Sequence, residues 1–305
     1  MAKATSDSRR DGTDWDRFEE ALAEGTVRGK RSATVEQEFE GFDEAELAVL
    51  RRLATRARLS RSRAPLLGNV VFLHGITGSD LATVAGPDRD HVWINVPRLM
   101  TGYIERLALA PDGKHEANRK YRVVATRPNK RYYARAILSL RARWDTVGYA
   151  YDWRRDIDEA ADGLAKLVRE RFPGKPVHIV AHSMGGLVAR NMILRHPKLW
   201  EGLEDPDKVA GGRLVMLGTP NYGSYAIVQA LTGEDRMMAM LEKLDFSHDM
   251  RELLAITNSF VGSYQLLPAP SKLPGTLDAL YQADTWPKRA AVSQRHLNRA
   301  HQFHA

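Results

Sequence analysis

The stretch VHIVAHSMGGLVAR, residues 177–190, constrains the fold of this chain more than any other. The apolar run Val177–Ala181 reads as a buried parallel strand, and it leads almost directly into Ser183. Two glycines follow, and then Leu187–Leu194, which reads as an apolar helix. A strand that becomes a helix within so few residues brings neighbouring backbones nearly into contact. Small side chains are therefore needed two positions before and two positions after the serine, and Ala181 and Gly185 supply them. Such a turn strains the serine backbone and lifts the hydroxyl clear of the sheet. The helix that follows aims free N–H groups and the positive end of its dipole at the same place, where a developing oxyanion is favoured. A phosphate-binding loop is the rival for a glycine-rich strand-to-helix turn. It needs Gly-Lys followed by Ser or Thr, and no lysine is present here.

The surrounding texture is that of an α/β fold, with short apolar runs alternating with amphipathic helical stretches. Asn69–Gly75, Tyr121–Thr126, Thr146–Tyr151 and Arg213–Leu217 read as further strands, and Asp156–Arg171 as a helix with one apolar side. After Leu217 strand signals stop, and residues 221–305 look helical and loop-rich. Residues 1–65 form a polar, arginine-rich extension in which Phe42–Leu59 reads as a helix with Asp43 at its start. Its six arginines between Arg51 and Arg63 read first as a solvated face, and second as a surface for an anionic membrane or nucleic acid.

The run His74-Gly75-Ile76-Thr77-Gly78-Ser79 ends the first strong strand. Beside a serine turn of this kind, one oxyanion donor is the N–H after the serine, here Met184. The other comes from the loop after an early strand, where Ile76 is the candidate. His74 is expected to shape this loop rather than act as a base. His182 should point away from the hydroxyl, and His178 reads as a core histidine. Asp152 and Arg154 read as a structural ion pair, and Trp93 either packs or lines an entry for an acyl chain.

These motifs resemble the lecithin:cholesterol acyltransferase-like branch of the α/β-hydrolases, which includes lysosomal phospholipase relatives. The carrying residues are FLHGITGSDL (72–81), Trp93 in HVWIN, YDWR (151–154), AHSMGG (181–186), LGTPNYGS (217–224) and SYQLLP (263–268). They occur in the family's order over roughly residues 68–305. The resemblance implies a mostly parallel sheet with a helical cap at 221–305. It also implies a serine acyl-enzyme, formed by Ser183, that passes the acyl group of a lipid ester to water or to an alcohol. Hydrolase and transferase are not separated by the sequence. No metal or organic cofactor is called for.

One departure from the family is specific. Acyl transfer of this kind needs a histidine base oriented by a carboxylate, each on a loop after a later strand. Those last two strands are not recognisable, so three arrangements stay open. The chain is shortened; another polypeptide or further segment completes it; or residues 221–305 supply the pair. In the last case the bases are His248, His296, His301 and His304, and the acids are Asp245, Asp249, Asp278 and Asp284. A sheet short of strands would present an unpaired edge and favour self-association. A non-catalytic, hydrolase-like binding module is the alternative from another class.

Composition narrows the rest. The 305 residues contain no cysteine, which excludes disulfides, Cys-ligated metal and Cys nucleophiles. The net charge of +7 favours anionic partners only weakly; a lipid or other acyl-ester substrate is expected and nucleic acid is not. No apolar run is long enough for a transmembrane helix, and the N-terminus lacks a signal-peptide core, so the expected location is cytoplasmic. His296, His301 and His304 read as a polar terminal helix rather than a metal site.

Overall fold

The computed structural model describes residues 8–23, 39, 41–86, 88–204, 211–272, 275 and 277–305. Its centre is a four-stranded sheet made of β1 (Asn69–Leu73), β5 (Asp145–Tyr149), β6 (Val177–His182) and β7 (Leu214–Leu217), in the order β5-β1-β6-β7. Every pairing in it is parallel. The chain leaves β1 for its neighbour on one side and then crosses to β6 on the other. The crevice between β1 and β6, at the carboxyl ends of the strands, is therefore the topological switch point where ligands bind in such sheets.

Alternation along the central strands divides the core. Val71 and Leu73 of β1, with Ile179 and Ala181 of β6, belong to the larger apolar cluster, which also holds the buried faces of α5 (Ile157–Arg171) and α6 (Met184–Arg195). Phe72 and Val180 face the other way, toward Ile137 and Leu138 of α4 (Lys130–Arg141). The same second cluster contains Trp15, Phe18 and Leu22 of α1 (Ser8–Ala23) and Leu47, Leu50 and Ala54 of α2 (Glu44–Arg63). Glu19, buried beneath these helices, accepts from Arg141 at 2.8 Å and also pairs with Arg61. Asp43 caps α2 in a reciprocal box with Glu46, as its position in the sequence suggests.

The strand expected at Tyr121–Thr126 is β4 (Arg122–Pro128), but it does not join the parallel sheet. It pairs antiparallel with β2 (Ser79–Ala85), which also pairs with β3 (Asp88–Trp93). Residues 79–93 carry only a short, bulged alternation, so the hairpin that captures β4 is faint in the sequence. Helices α1 and α4 were likewise not anticipated from the sequence. Among the described residues no strand follows β7. The remainder is helical: α8 (Ala226–Thr232), α9 (Arg236–Leu244), α10 (Met250–Thr257), α11 (Val261–Tyr264) and α12 (Gln294–His304), with short 3-10 turns between them. Earlier in the chain lie α3 (Val96–Met100) and α7 (Pro197–Glu204). The outer strand β7 shows Val215, Met216 and Leu217 at 39–47% exposure, which is unusual for a parallel strand.

Candidate active site at the turn after β6

Ser183 stands between β6 and α6 with φ 53° and ψ −124°, a conformation that L side chains rarely adopt. The surroundings fix it there. Its N–H donates to the carbonyl of Leu217 at 2.9 Å, and its carbonyl accepts from Gly186 at 3.0 Å. The two glycines are demanded by close approach. A Cβ on Gly185 would lie 2.5 Å from the carbonyl oxygen of His74, and one on Gly186 would lie 1.9 Å from Thr219 Oγ1. Ala181, fully buried, sits in register between Leu73 of β1 and Met216 of β7. The helix begins at Met184, three residues earlier than its apolar run suggests, so its first turn abuts the serine.

The loop after β1 passes directly over this turn. A Cβ on Gly75 would lie 2.9 Å from Ser183 Cβ and 3.3 Å from its Oγ. The N–H of Gly75 is taken by the Tyr133 hydroxyl at 2.9 Å, and that of Gly78 by the carbonyl of Gly75. The backbone N–H groups of Ile76 and Met184 make no hydrogen bond within the described residues. Both sequence-chosen donors therefore lie on the two segments that meet at Ser183, with their N–H groups uncommitted.

His74 shapes the loop, as expected. Burial lowers its pKa from 6.5 to about 3, so it is neutral. One ring nitrogen bonds the Gly75 carbonyl at 2.7 Å, the other accepts from the Tyr151 N–H at 3.3 Å, and the ring stacks on Tyr151 at 4.0 Å. His182 turns to Tyr133, whose hydroxyl lies 3.0 Å from its Nδ1. Tyr133 thus ties α4, the loop and the serine turn together. No sequence signal marks this role, because the Tyr132-Tyr133 pair in a charged helix looks like surface.

In front of Ser183 opens a cavity of about 310 Å³. Its walls are Ile76, Trp93, Ile104, Leu107 and Trp153 on one side and Ile227, Leu231, Met238, Leu241, Phe260 and Leu266 on the other. Trp93 is buried and packs edge-on to Trp153 with ring centroids 5.5 Å apart; it also borders the cavity, and its Nε1 donates to the Thr77 carbonyl at 2.9 Å. YDWR holds the wall in place. Arg154, wholly buried, reaches Asp152 at 2.6 Å, Glu116 at 3.1 Å and the carbonyl of Leu107. Burial would push the Asp152 carboxyl up, but Arg154 and Arg155 overcome this and hold it below its ordinary value. Gln265 of SYQLLP, also fully buried, accepts from the Ile157 N–H at 2.8 Å and donates to Asp156 at 2.9 Å, joining the helical segment to α5.

All ten histidines fall within the described residues, and none lines the cavity. His248 pairs with buried Asp245 at 2.8 Å, and Ser247 and His248 also donate backbone N–H groups to that carboxylate. His296 and His301 set their rings edge-on to Tyr264 and Tyr281. His304 is half-buried at the end of α12. Asp249 caps α10, while Asp278 and Asp284 lie in 3-10 turns. The one carboxylate in the cavity wall, Asp235, caps α9 by accepting from Met238 N–H at 2.8 Å. Among the described residues no group of three or more metal-ligating side chains is assembled, and no helix is long and apolar enough to cross a membrane.

A parallel sheet flanked by helices, with a serine turn at its switch point under a loop from the first strand, defines the α/β-hydrolase class. The branch follows from comparison. The model of the lecithin:cholesterol acyltransferase family matches residues 140–301, a little over half of the chain, and the chain belongs to that family. Phosphatidylcholine-sterol acyltransferase of Mus musculus is 33% identical over 139 residues, covering 43% of this chain and 29% of that protein. Lysosomal phospholipase A and acyltransferase of Homo sapiens is 28% identical over 135 residues, covering 42% of this chain and 31% of that protein. The matched stretch thus spans under a third of each relative.

Proposed function

We propose that the chain is a serine-dependent acyl-ester hydrolase or O-acyltransferase acting on lipid esters, with Ser183 as nucleophile. The observation that carries this reading is the position of Ser183. It is held at positive φ on the floor of an apolar cavity, beneath the loop that contains Ile76. Its Oγ would attack the ester carbonyl, and the N–H groups of Ile76 and Met184 would receive the oxyanion. Losing one such donor costs about 3 kcal/mol in comparable sites. The acyl-enzyme would then pass to water or to an alcohol, and the names of the curated relatives favour a lipid acyl donor.

The base must come from outside the cavity lining, since no histidine borders the cavity. Among the described residues β7 pairs only with β6, and a further strand on its other side would be the way to bring a histidine loop toward Ser183. The same observation favours a second reading, a hydrolase-like binding module with no turnover. Release of fatty acid from phosphatidylcholine, compared between the parent and Ser183→Ala, separates the two. Release that depends on Ser183 supports an enzyme, and equal traces from both proteins support the module. We also place peripheral contact with an anionic membrane on α2, where Arg52, Arg56, Leu59 and Arg63 are exposed along one side. Co-sedimentation with anionic vesicles should weaken as salt rises, and no binding at low salt removes this contact.

A further inference from the structure

The loop over Ser183 turns at Gly75–Gly78. The Gly78 N–H donates to the Gly75 carbonyl at 3.1 Å, which leaves Ile76 and Thr77 at the two central positions. Thr77 takes φ 60°, and Ile76 has no positive φ. A turn with positive φ at its second central position alone calls for glycine or asparagine there. Threonine is the opposite choice, because a branched Cβ is strained at positive φ. The surroundings hold the strain in place. Besides the turn bond, Trp93 Nε1 donates to the Thr77 carbonyl at 2.9 Å, and the Asn129 N–H donates to the Gly78 carbonyl at 2.8 Å. Backbone strain maintained in this way clusters at functional sites and points to a use for the side chain that causes it.

That side chain carries a free donor. Thr77 is half-buried and borders the cavity together with Ile76 and Ser183. Its Oγ1 makes no hydrogen bond within the described residues and is not sealed inside the protein. The facing wall is different. Thr257 donates to the Leu253 carbonyl at 3.0 Å, Ser224 accepts from the Ala226 N–H at 3.2 Å, and Asp235 caps α9. Ser263 also keeps a hydroxyl without a partner within the described residues, but it stands on α11 at no positive φ. We propose that the Thr77 hydroxyl is a third donor to the oxyanion, beside the N–H groups of Ile76 and Met184. The proposal rests on the reading of Ser183 as nucleophile. When Ser183 Oγ bonds to the acyl carbon, the carbonyl π pair passes to its oxygen, and the serine proton passes to an imidazole base. Thr77 Oγ1–H donates to that oxygen and keeps its own proton. An alkoxide oxygen has three lone pairs, so a third donor adds to the two N–H groups without displacing them.

The test is the rate at which a fluorophosphonate labels Ser183 in the full chain with imidazole supplied in solution. The phosphoryl oxygen of the probe takes the place of the oxyanion. Thr77→Val keeps the branched shape and removes the hydroxyl, and Thr77→Ser keeps the hydroxyl and removes the branch. Thr77→Val should label about a hundredfold more slowly than the parent, the size expected for one oxyanion donor. Thr77→Ser should recover most of the rate. Thr77→Gly removes the same hydroxyl while relieving the strain, so it serves if Thr77→Val does not fold. It should label as slowly as Thr77→Val and unfold at a higher urea concentration than the parent. Parental rates in Thr77→Val or Thr77→Gly overturn the proposal and leave Ser183 as nucleophile. A Thr77→Ser rate as slow as that of Thr77→Val assigns the position to shape and likewise overturns it. No labelling of Ser183 in the parent overturns both readings.

Discussion

The turn at Ser183 and the helical segment from Ala226 to His304 border one cavity and contribute opposite things to it. The sheet side works through backbone. Its serine is placed by φ, its two glycines by the lack of room for a Cβ, which would lie 2.5 Å or less from a neighbour, and its proposed donors are main-chain N–H groups left over when Tyr133 and Gly75 have taken theirs. The helical side works through shape. Its leucines, methionines and Phe260 form the wall, while its carboxylates and His248 are spent on caps and a local pair. Under the proposed function, reactivity would rest on a geometry that tolerates almost no substitution, and ligand choice on a surface that can be recut.

The sharpest way to break this contrast is Gly185→Ala. The added Cβ meets backbone 2.5 Å away, which no rotamer relieves, so a loss of about 3 kcal/mol or more is expected, together with loss of the site. Chemical denaturation measures it, and a cost below about 1 kcal/mol would show that the turn is looser than described. Next in size is the effect of pH through His74. Its folded pKa of about 3 lies below the unfolded 6.5, so the unfolded chain holds a proton that the folded chain refuses between those values. The stability from neutral His74 is complete above pH 6.5 and declines by about 1.4 kcal/mol per unit as pH falls toward 3. Urea midpoints at pH 7.5 and 5.5 should differ accordingly, and equal midpoints would contradict its burial as a neutral ring.

Tyr133→Phe leaves the Gly75 N–H and His182 Nδ1 without their shared partner, a cost of about 1–2 kcal/mol. It should also slow acylation more than it weakens binding, because the loop over Ser183 loses its anchor. A change in KM alone would assign Tyr133 to the ligand wall instead. The smallest effect is expected on the helical side. His248→Gln should leave the reactivity of Ser183 unchanged, because the imidazole serves Asp245 and does not border the cavity. A large fall in reactivity would make His248 the missing base.

The same contrast decides what could be read in advance. Around Ser183 the backbone dictates residue type, so Ala181, Gly185 and the loop at Gly75 leave a pattern in a single sequence. The parallel strands were legible for the same reason, since burial on both faces produces continuous apolar runs. The β2–β3 hairpin was not legible, because bulges break its alternation. Tyr133 was missed, and Gln265 was visible only as part of SYQLLP, because their importance comes from partners far away in sequence. The four histidines and four aspartates offered as bases and acids could not be ranked from sequence. The structure sets all of them away from the cavity wall, in caps, ring contacts and turns.

We propose that this chain holds the nucleophile Ser183 and its oxyanion donors, while no histidine borders the cavity. Intact mass after a fluorophosphonate probe tests it most directly, with and without added imidazole, on the parent and on Ser183→Ala. Slow single labelling of the parent, clear acceleration by imidazole, and no adduct on Ser183→Ala are the expected results. Rapid labelling without imidazole, or an adduct that survives Ser183→Ala, would contradict it.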